Sequence, residues 1–177
     1  MNSRFLLGMR FILSAIVLTG SLTGALAAPL PGGASTLAET YQDWSVNCQA
    51  VKDATQCLLS QAQNSSQSGQ RVLAVQLHRG AEGNAEGELV MPFGLNLSKG
   101  ASIKIDEAPL STVAFSTCLP GGCIAPLSFN AKQLGRLKTA NNLQIMVTGL
   151  TPTQPLVFKV SLKGFGKALE RIVTLTK

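Results

Sequence analysis

The chain has 177 residues, of which 45% are hydrophobic and 14% are charged, and its formal net charge is +6. This length suffices for one ordinary domain. Because the hydrophobic fraction is ordinary and the charged fraction is low against a usual ~25%, the composition excludes a chain that is disordered throughout.

The first 27 residues have the three parts of a secretory signal peptide. Arg4 and Arg10 give a positive start, residues 11–18 form an apolar run, and Ala25 and Ala27 place small side chains at a cleavage site. A membrane anchor is the alternative, but the apolar segment is short for a span of ~20 residues. We therefore expect cleavage after Ala27, export, and no membrane span in the mature chain.

Residues 28–40, which contain Pro, Gly, Ser and Thr, are predicted to form a flexible leader before a domain that spans 41–177. In that domain, short runs of alternating apolar and polar residues are separated by turn residues, which is typical of β-strands. The runs are 44–50, 57–61, 71–79, 88–95, 101–106, 112–118, 123–129, 143–148 and 156–162. This spacing predicts a mainly β protein, a single antiparallel β-sandwich that is jelly-roll-like and carries two short helices.

Five large side chains are predicted to form part of the structural core. Trp44 and Val46 fall on the same face of the first strand, since they are two residues apart. Phe93, Phe115 and Phe165 are assigned to the core with them.

Two segments have helical patterns. Asn130 can cap a helix over 131–138, with Gln133 at the third helical position. The second helix is predicted over 164–173, where apolar residues recur at helical spacing and form one stripe. Residues 174–176 alternate again and are predicted to begin a strand.

Four cysteines, Cys48, Cys57, Cys118 and Cys123, follow the predicted signal. In an oxidising compartment an even number of cysteines indicates disulfides, and three pairings are possible. We favour Cys48–Cys57 and Cys118–Cys123, because each pair is close in sequence and encloses a turn-like segment. The gaps of eight and four residues do not match usual zinc-ligand spacing, and no Cys-x-x-Cys redox motif is present.

The residues that carry catalysis elsewhere are sparse. His78 is the only histidine, and it lies on the polar face of its strand. Asp106 and Glu107 are neighbours, so a strand would turn them to opposite faces. The acidic loop 80–87 lacks the Asp-rich spacing of calcium loops. We therefore expect a non-enzymatic protein with no cofactor and no metal.

Positive charge is concentrated near the end of the chain. Residues 130–177 contain eight basic residues and one acidic residue, Glu170. Lys163, Lys167 and Arg171 step by four and would line one face of the second helix. This face is either simply solvated or a contact for an anionic surface such as lipopolysaccharide or anionic lipid. Nucleic acid is not an expected partner, because no aromatic residues interleave with the basic ones.

Six segments, in order and with two cysteine pairs, resemble the invasion-associated locus B family of Gram-negative bacteria. They are 44–48, 57–61, 89–95, 103–106, 115–118 with 122–125, and 161–165 with 168–169. The resemblance extends over 41–173. It implies an exported, β-rich protein that is periplasmic, associated with the outer membrane, or secreted. No catalytic residues are associated with the family, and its name comes from host-cell invasion.

Two functions are therefore expected. The first is a non-enzymatic envelope protein that binds a host or envelope protein or an anionic envelope surface, and so contributes to host-cell interaction. The alternative is a periplasmic folding or assembly accessory that binds polypeptide at a strand edge.

Overall fold

The computed structural model describes residues 30–52 and 54–176. The predicted signal peptide, residues 1–27, lies outside these described residues. Within them the chain forms eleven strands, two α-helices and three single-turn 3-10 helices. The prediction of a mainly β protein with antiparallel sheets and two short helices is confirmed.

The strands form two sheets. The large sheet contains β1 (Thr36–Tyr41), β2 (Trp44–Val51), β3 (Ala54–Asn64), β4 (Arg71–Arg79), β5 (Ala85–Met91), β8 (Thr117–Leu119) and β9 (Gly122–Phe129). The small sheet contains β6 (Ala101–Ile105), β7 (Ala108–Val113), β10 (Asn142–Thr148) and β11 (Pro155–Ser161). The strand orders are β1-β2-β3-β4-β5-β9-β8 and β11-β10-β6-β7, and neighbouring strands are antiparallel.

The large sheet turns one face to the core. In β2 the side chains of Trp44, Val46 and Cys48 are fully buried, whereas Asn47 between them is exposed. The register repeats this alternation across the sheet, because directly paired residues share a face. Buried side chains of the small sheet and of both helices join the same hydrophobic core.

The helix α2 (Phe165–Leu175) packs on the inner face of the large sheet, against β1 to β4. Its apolar stripe buries Phe165, Ala168, Leu169 and Ile172. The ring of Phe165 meets Trp44 edge-on, with 5.1 Å between ring centroids. Burial of each large apolar side chain contributes about 1.5–3 kcal/mol, so this stripe fixes the helix on the sheet.

Gly164 allows this close packing. It has a φ of 86°, and a Cβ at this position would overlap the carbonyl oxygen of Tyr41 in β1. Only glycine combines a left-handed conformation with such a close backbone approach. The chain can therefore turn from β11 into α2 directly beside β1.

The helix α1 (Ala131–Thr139) begins as the sequence predicts. Asn130 Oδ1 accepts a hydrogen bond from the backbone N–H of Gln133, and Gln133 Oε1 accepts one from the backbone N–H of Asn130, each at 2.9 Å. This reciprocal capping box satisfies two backbone donors at the start of the helix.

Both disulfides join neighbouring antiparallel strands. Cys48 of β2 pairs directly with Cys57 of β3, with their Cα atoms 4.0 Å apart. Cys118 of β8 pairs directly with Cys123 of β9, with their Cα atoms 3.9 Å apart. Each bond therefore closes a single hairpin, with the pairing that the sequence favoured.

Several details of the prediction are wrong. The leader is not flexible throughout: residues 36–40 belong to β1, and Leu30 is buried in the core. Apolar and polar residues alternate only weakly in β1, so the sequence pattern does not indicate a strand there. Residues 174–176 do not begin a strand, since α2 continues to Leu175.

The core assignment also needs correction at one position. Trp44, Val46 and Phe165 are buried, and Phe115 is partly buried against the core. Phe93 is 61% exposed. The chain leaves β5 at Met91 and crosses to the small sheet, and Phe93 projects from this connection rather than inward.

We expect Trp44→Ala to destabilise the protein by about 3–5 kcal/mol, because it removes a fully buried aromatic side chain. Phe93→Ala is the matched control, and it should change the free energy of unfolding by no more than about 0.5 kcal/mol. Denaturant unfolding measures both. Equal effects of the two substitutions would contradict the burial described above.

We expect removal of each disulfide to destabilise the protein by about 2–3 kcal/mol, since each closes a short loop of the unfolded chain. Chemical unfolding of Cys48→Ala/Cys57→Ala and of Cys118→Ala/Cys123→Ala measures this. Peptide mapping without reduction should recover the two local pairs. A peptide that links Cys48 to Cys118 or Cys123 would contradict them.

Candidate functional site

The three basic residues predicted to line α2 do not form one free face. Lys163 precedes the helix, and Lys167 is exposed on it. Arg171 is occupied: its Nε and Nη2 donate hydrogen bonds to the two carboxylate oxygens of Glu39, at 2.8 and 2.7 Å. This bidentate pair fastens α2 to β1 across the inner face of the large sheet. Arg171 is therefore part of the scaffold.

Tyr41 completes this contact. Its hydroxyl donates a hydrogen bond to Glu39 Oε2 at 2.6 Å. The hydrogen bond from Arg171, and after it the one from Tyr41, lower the pKa of Glu39 below its usual value. The hydrogen bond to the carboxylate raises the pKa of Tyr41. The same bond to Glu39 raises the pKa of Arg171.

One edge of the small sheet is partly covered. The carbonyl oxygen of Ser161 in β11 accepts hydrogen bonds from Trp44 Nε1 and Gln61 Nε2, each at 2.9 Å. The carbonyl oxygen of Lys159 accepts one from Gln63 Nε2 at 2.7 Å. Strand addition needs free backbone groups along an edge, so this half of β11 is closed to an added strand.

The outer face of the large sheet carries a polar row. Asn47 pairs with Leu58, His78 pairs with Glu86, and Glu86 pairs with Ser128. Leu59 pairs with Leu77 in the antiparallel strands β3 and β4. Leu58 precedes Leu59 and His78 follows Leu77, so these two residues also lie opposite each other. Directly paired residues share a face, so these five side chains cross five neighbouring strands.

Two adjoining depressions lie along this row, and Leu58 and His78 line both of them. The first has a volume of about 770 Å³, and its lining includes Asn47, Gln49, Gln56 and Arg79. The second has a volume of about 580 Å³, and its lining includes Gln76, Glu86, Glu88, Pro126 and Ser128. We call this surface the His78 groove, defined by the residues just named.

The chemistry of the His78 groove suits hydrogen bonding. It offers an imidazole, four amides, two carboxylates and a guanidinium, with Leu58 and Pro126 as apolar contacts. In the described part of the chain, no group of three His, Cys, Asp or Glu residues comes close enough to hold a metal ion. Ion pairs within 4.0 Å there join Lys138 to Glu170 and Arg171 to Glu39, and neither lies in the groove.

No helix in residues 30–52 or 54–176 is long and apolar enough to cross a membrane.

The family model "Invasion associated locus B (IalB) protein" matches residues 44–173. The chain belongs to the invasion associated locus B family. This range runs from the start of β2 into α2, so it includes the His78 groove and both disulfides. The relationship that the sequence segments suggested is thereby confirmed.

Similar proteins carry related names. An invasion protein B homolog of Brucella abortus is 54% identical over 171 residues, which cover 97% of this chain and 96% of the relative. Invasion protein B of Bartonella bacilliformis is 33% identical over 154 residues, 85% of this chain and 82% of the relative. The crystal structure of invasion associated protein B from Bartonella henselae matches with a TM-score of 0.74 and 32% identity, covering 78% of this chain and 96% of that one.

We expect Arg171→Gln to destabilise the protein at neutral pH, with the difference from wild type shrinking in acid. The pKa of Glu39 in the folded protein is lowered from 4.5, chiefly by its hydrogen bond from Arg171. The stabilisation of the fold by this pair is therefore fully present above pH 4.5. It is lost as the pH falls through the lowered value. Thermal unfolding across the acid range measures this.

Lys138→Gln is the control for this experiment, since it removes an exposed ion pair with Glu170. Exposed pairs contribute little, so this change should have a small effect at any pH. A destabilisation by Arg171→Gln that persists undiminished in acid would contradict a role for Glu39.

Proposed function

We propose that the protein is an exported, non-enzymatic protein of the cell envelope that acts by binding a host-cell or envelope protein. The observation that supports this most is the His78 groove. Exposed polar side chains of β2, β4, β5 and β9 form a row there with the partly exposed Leu58 of β3, on the sheet face opposite the packed core. Relatives named invasion protein B support a role in contact with host cells.

Export agrees with the cysteine chemistry. Both disulfides require an oxidising compartment, such as the periplasm or the exterior of the cell. The signal-like residues 1–27 support the same route. We place the mature protein in the periplasm, at the outer membrane or in the secreted fraction.

Binding at the groove is favoured over the two other surfaces considered. Fewer basic side chains near α2 are available to an anionic surface, because Arg171 is paired with Glu39. A polypeptide added at the β11 edge would compete with Trp44, Gln61 and Gln63 for the same carbonyl oxygens. The groove needs no such rearrangement.

We expect His78→Ala/Glu86→Ala to weaken binding of the fluorescently labelled mature protein to cultured mammalian cells, or to the outer-membrane fraction of its own bacterium. Loss of two hydrogen-bonding side chains should reduce the affinity about tenfold, at roughly 0.5–1.5 kcal/mol each. Titration followed by flow cytometry or sedimentation measures the affinity.

The control variant is Lys132→Ala/Lys167→Ala, which changes two exposed side chains on the helices. It should bind like wild type. Equal loss in both variants would assign binding to charge instead of to the groove. Wild-type affinity in the groove variant, with its fold intact by circular dichroism, would overturn the proposal.

A further inference from the structure

Four large apolar side chains project from two connections between strands and from the end of β8. Phe93 is 61% exposed and Leu97 is 37% exposed in the β5–β6 connection. Leu119, at the β8–β9 turn, is 53% exposed, and Leu150, in the β10–β11 connection, is 57% exposed. We call these four residues the apolar tip. Clustered exposed apolar side chains on a folded protein mark a surface that contacts something else.

Backbone contacts bring the β5–β6 and β10–β11 connections together. The carbonyl oxygen of Gly94 accepts a hydrogen bond from the N–H of Leu150 at 2.8 Å. Leu95 forms an isolated bridge with Gly149, and the N–H of Asn96 donates to the carbonyl oxygen of Thr148 at 2.8 Å. Phe93 and Leu150 therefore flank one short ladder.

The β8–β9 turn lies at the same end of the sandwich. Met91 is the last residue of β5 and lies two residues before Phe93 in the chain. It pairs with Cys123 of β9. Gly122 packs against the backbone of Met91 so closely that a Cβ there would lie 2.5 Å from its carbonyl oxygen. Leu119, which pairs with Gly122, thus lies near the root of the connection that carries Phe93.

The charges around the apolar tip have one sign. Arg71 reaches the β8–β9 turn, where its Nη2 donates to the carbonyl oxygen of Gly121 at 2.9 Å. Lys99 ends the 3-10 turn that contains Leu97. Apart from the β1–β2 turn, the connections at this end of the two sheets contain neither Asp nor Glu. They are 65–70, 92–100, 114–116, 120–121 and 149–154.

Most acidic turn residues lie elsewhere. Glu82 belongs to the β4–β5 connection, and Asp106 and Glu107 belong to the β6–β7 turn, at the other end of these strands. Asp43 lies in the β1–β2 turn, at the same end of the large sheet but near its β1 edge, three strands away from β5, and its backbone N–H donates to the carbonyl oxygen of Lys163. A polar protein partner would not require acidic residues to be kept away from the apolar tip. An anionic lipid surface would require it, because carboxylates at the point of contact would repel the lipid headgroups.

We propose that the apolar tip docks on an anionic phospholipid bilayer. Phe93, Leu119 and Leu150 enter the boundary between headgroups and acyl chains, while Arg71 and Lys99 contact lipid phosphates. Apolar burial combined with electrostatic attraction is the general basis of peripheral membrane binding. The apolar tip is distinct from the His78 groove, so the protein can hold a membrane and a protein partner at the same time.

The test uses the mature protein and vesicles of phosphatidylethanolamine with phosphatidylglycerol, followed by co-sedimentation. Wild type should bind these vesicles and should bind phosphatidylcholine vesicles more weakly. Phe93→Ser/Leu119→Ser/Leu150→Ser should reduce the affinity at least about tenfold. Arg71→Gln/Lys99→Gln should reduce it about fivefold per charge and remove much of the salt dependence.

Two control variants match these changes. Val51→Ser/Val173→Ser alters apolar side chains exposed outside the apolar tip, and Lys163→Gln/Lys167→Gln removes two charges near α2. Both should bind like wild type. His78→Ala/Glu86→Ala should also bind like wild type, which separates this proposal from binding at the groove.

A second readout reports insertion directly. Trp44 is buried, so Phe93→Trp adds the solvent-exposed indole whose emission can change. Its emission should shift to shorter wavelength when the phosphatidylglycerol vesicles are added. Failure of wild type to bind these vesicles, binding unchanged in the triple serine variant, or an emission spectrum unchanged on binding would each overturn the proposal. Equal loss in the Lys163→Gln/Lys167→Gln control would do the same, by assigning binding to α2.

Discussion

The indole of Trp44 holds three parts of the molecule in one place. Its N–H donates to the carbonyl oxygen of Ser161, the last residue of β11, and its ring packs edge-on against Phe165, the first residue of α2. Gln61, the neighbour of Trp44 on β3, donates to the same carbonyl oxygen. The large sheet, the end of the small sheet and the start of α2 are therefore joined through one buried contact. A buried polar group is costly when unpaired, so this contact also specifies a single arrangement.

This arrangement divides the large sheet into two faces with different roles. Its inner face packs against α2 and the core, and the ion pair of Glu39 with Arg171 holds α2 to β1. Its outer face is free to display the His78 groove. The connections at one end carry the apolar tip, and the disulfides each close a hairpin of the same sheet. Most buried side chains thus serve the scaffold, and the binding that we propose involves side chains that the fold exposes.

Local patterns predicted much of this scaffold. Alternation placed Trp44 and Val46 inward and His78 outward, and the Asn130 cap set the start of α1. Contacts between distant strands were not predictable, because alternation gives the face of a residue but not the neighbour of its strand. Glu86 therefore could not be matched with Ser128, nor Arg171 with Glu39, 132 residues away. Phe93 was misplaced because an apolar segment looks the same in sequence whether it is buried or projects from a connection.

The exchange rate of the Trp44 indole N–H tests the central claim most directly. Trp44 is the only tryptophan, so its indole gives one signal that can be followed by hydrogen exchange in NMR. If the indole joins the two sheets and α2, it should exchange only when the whole domain unfolds, with a free energy equal to that of global unfolding by denaturant. Exchange at the rate of an exposed indole, or through a local opening far cheaper than global unfolding, would contradict the account.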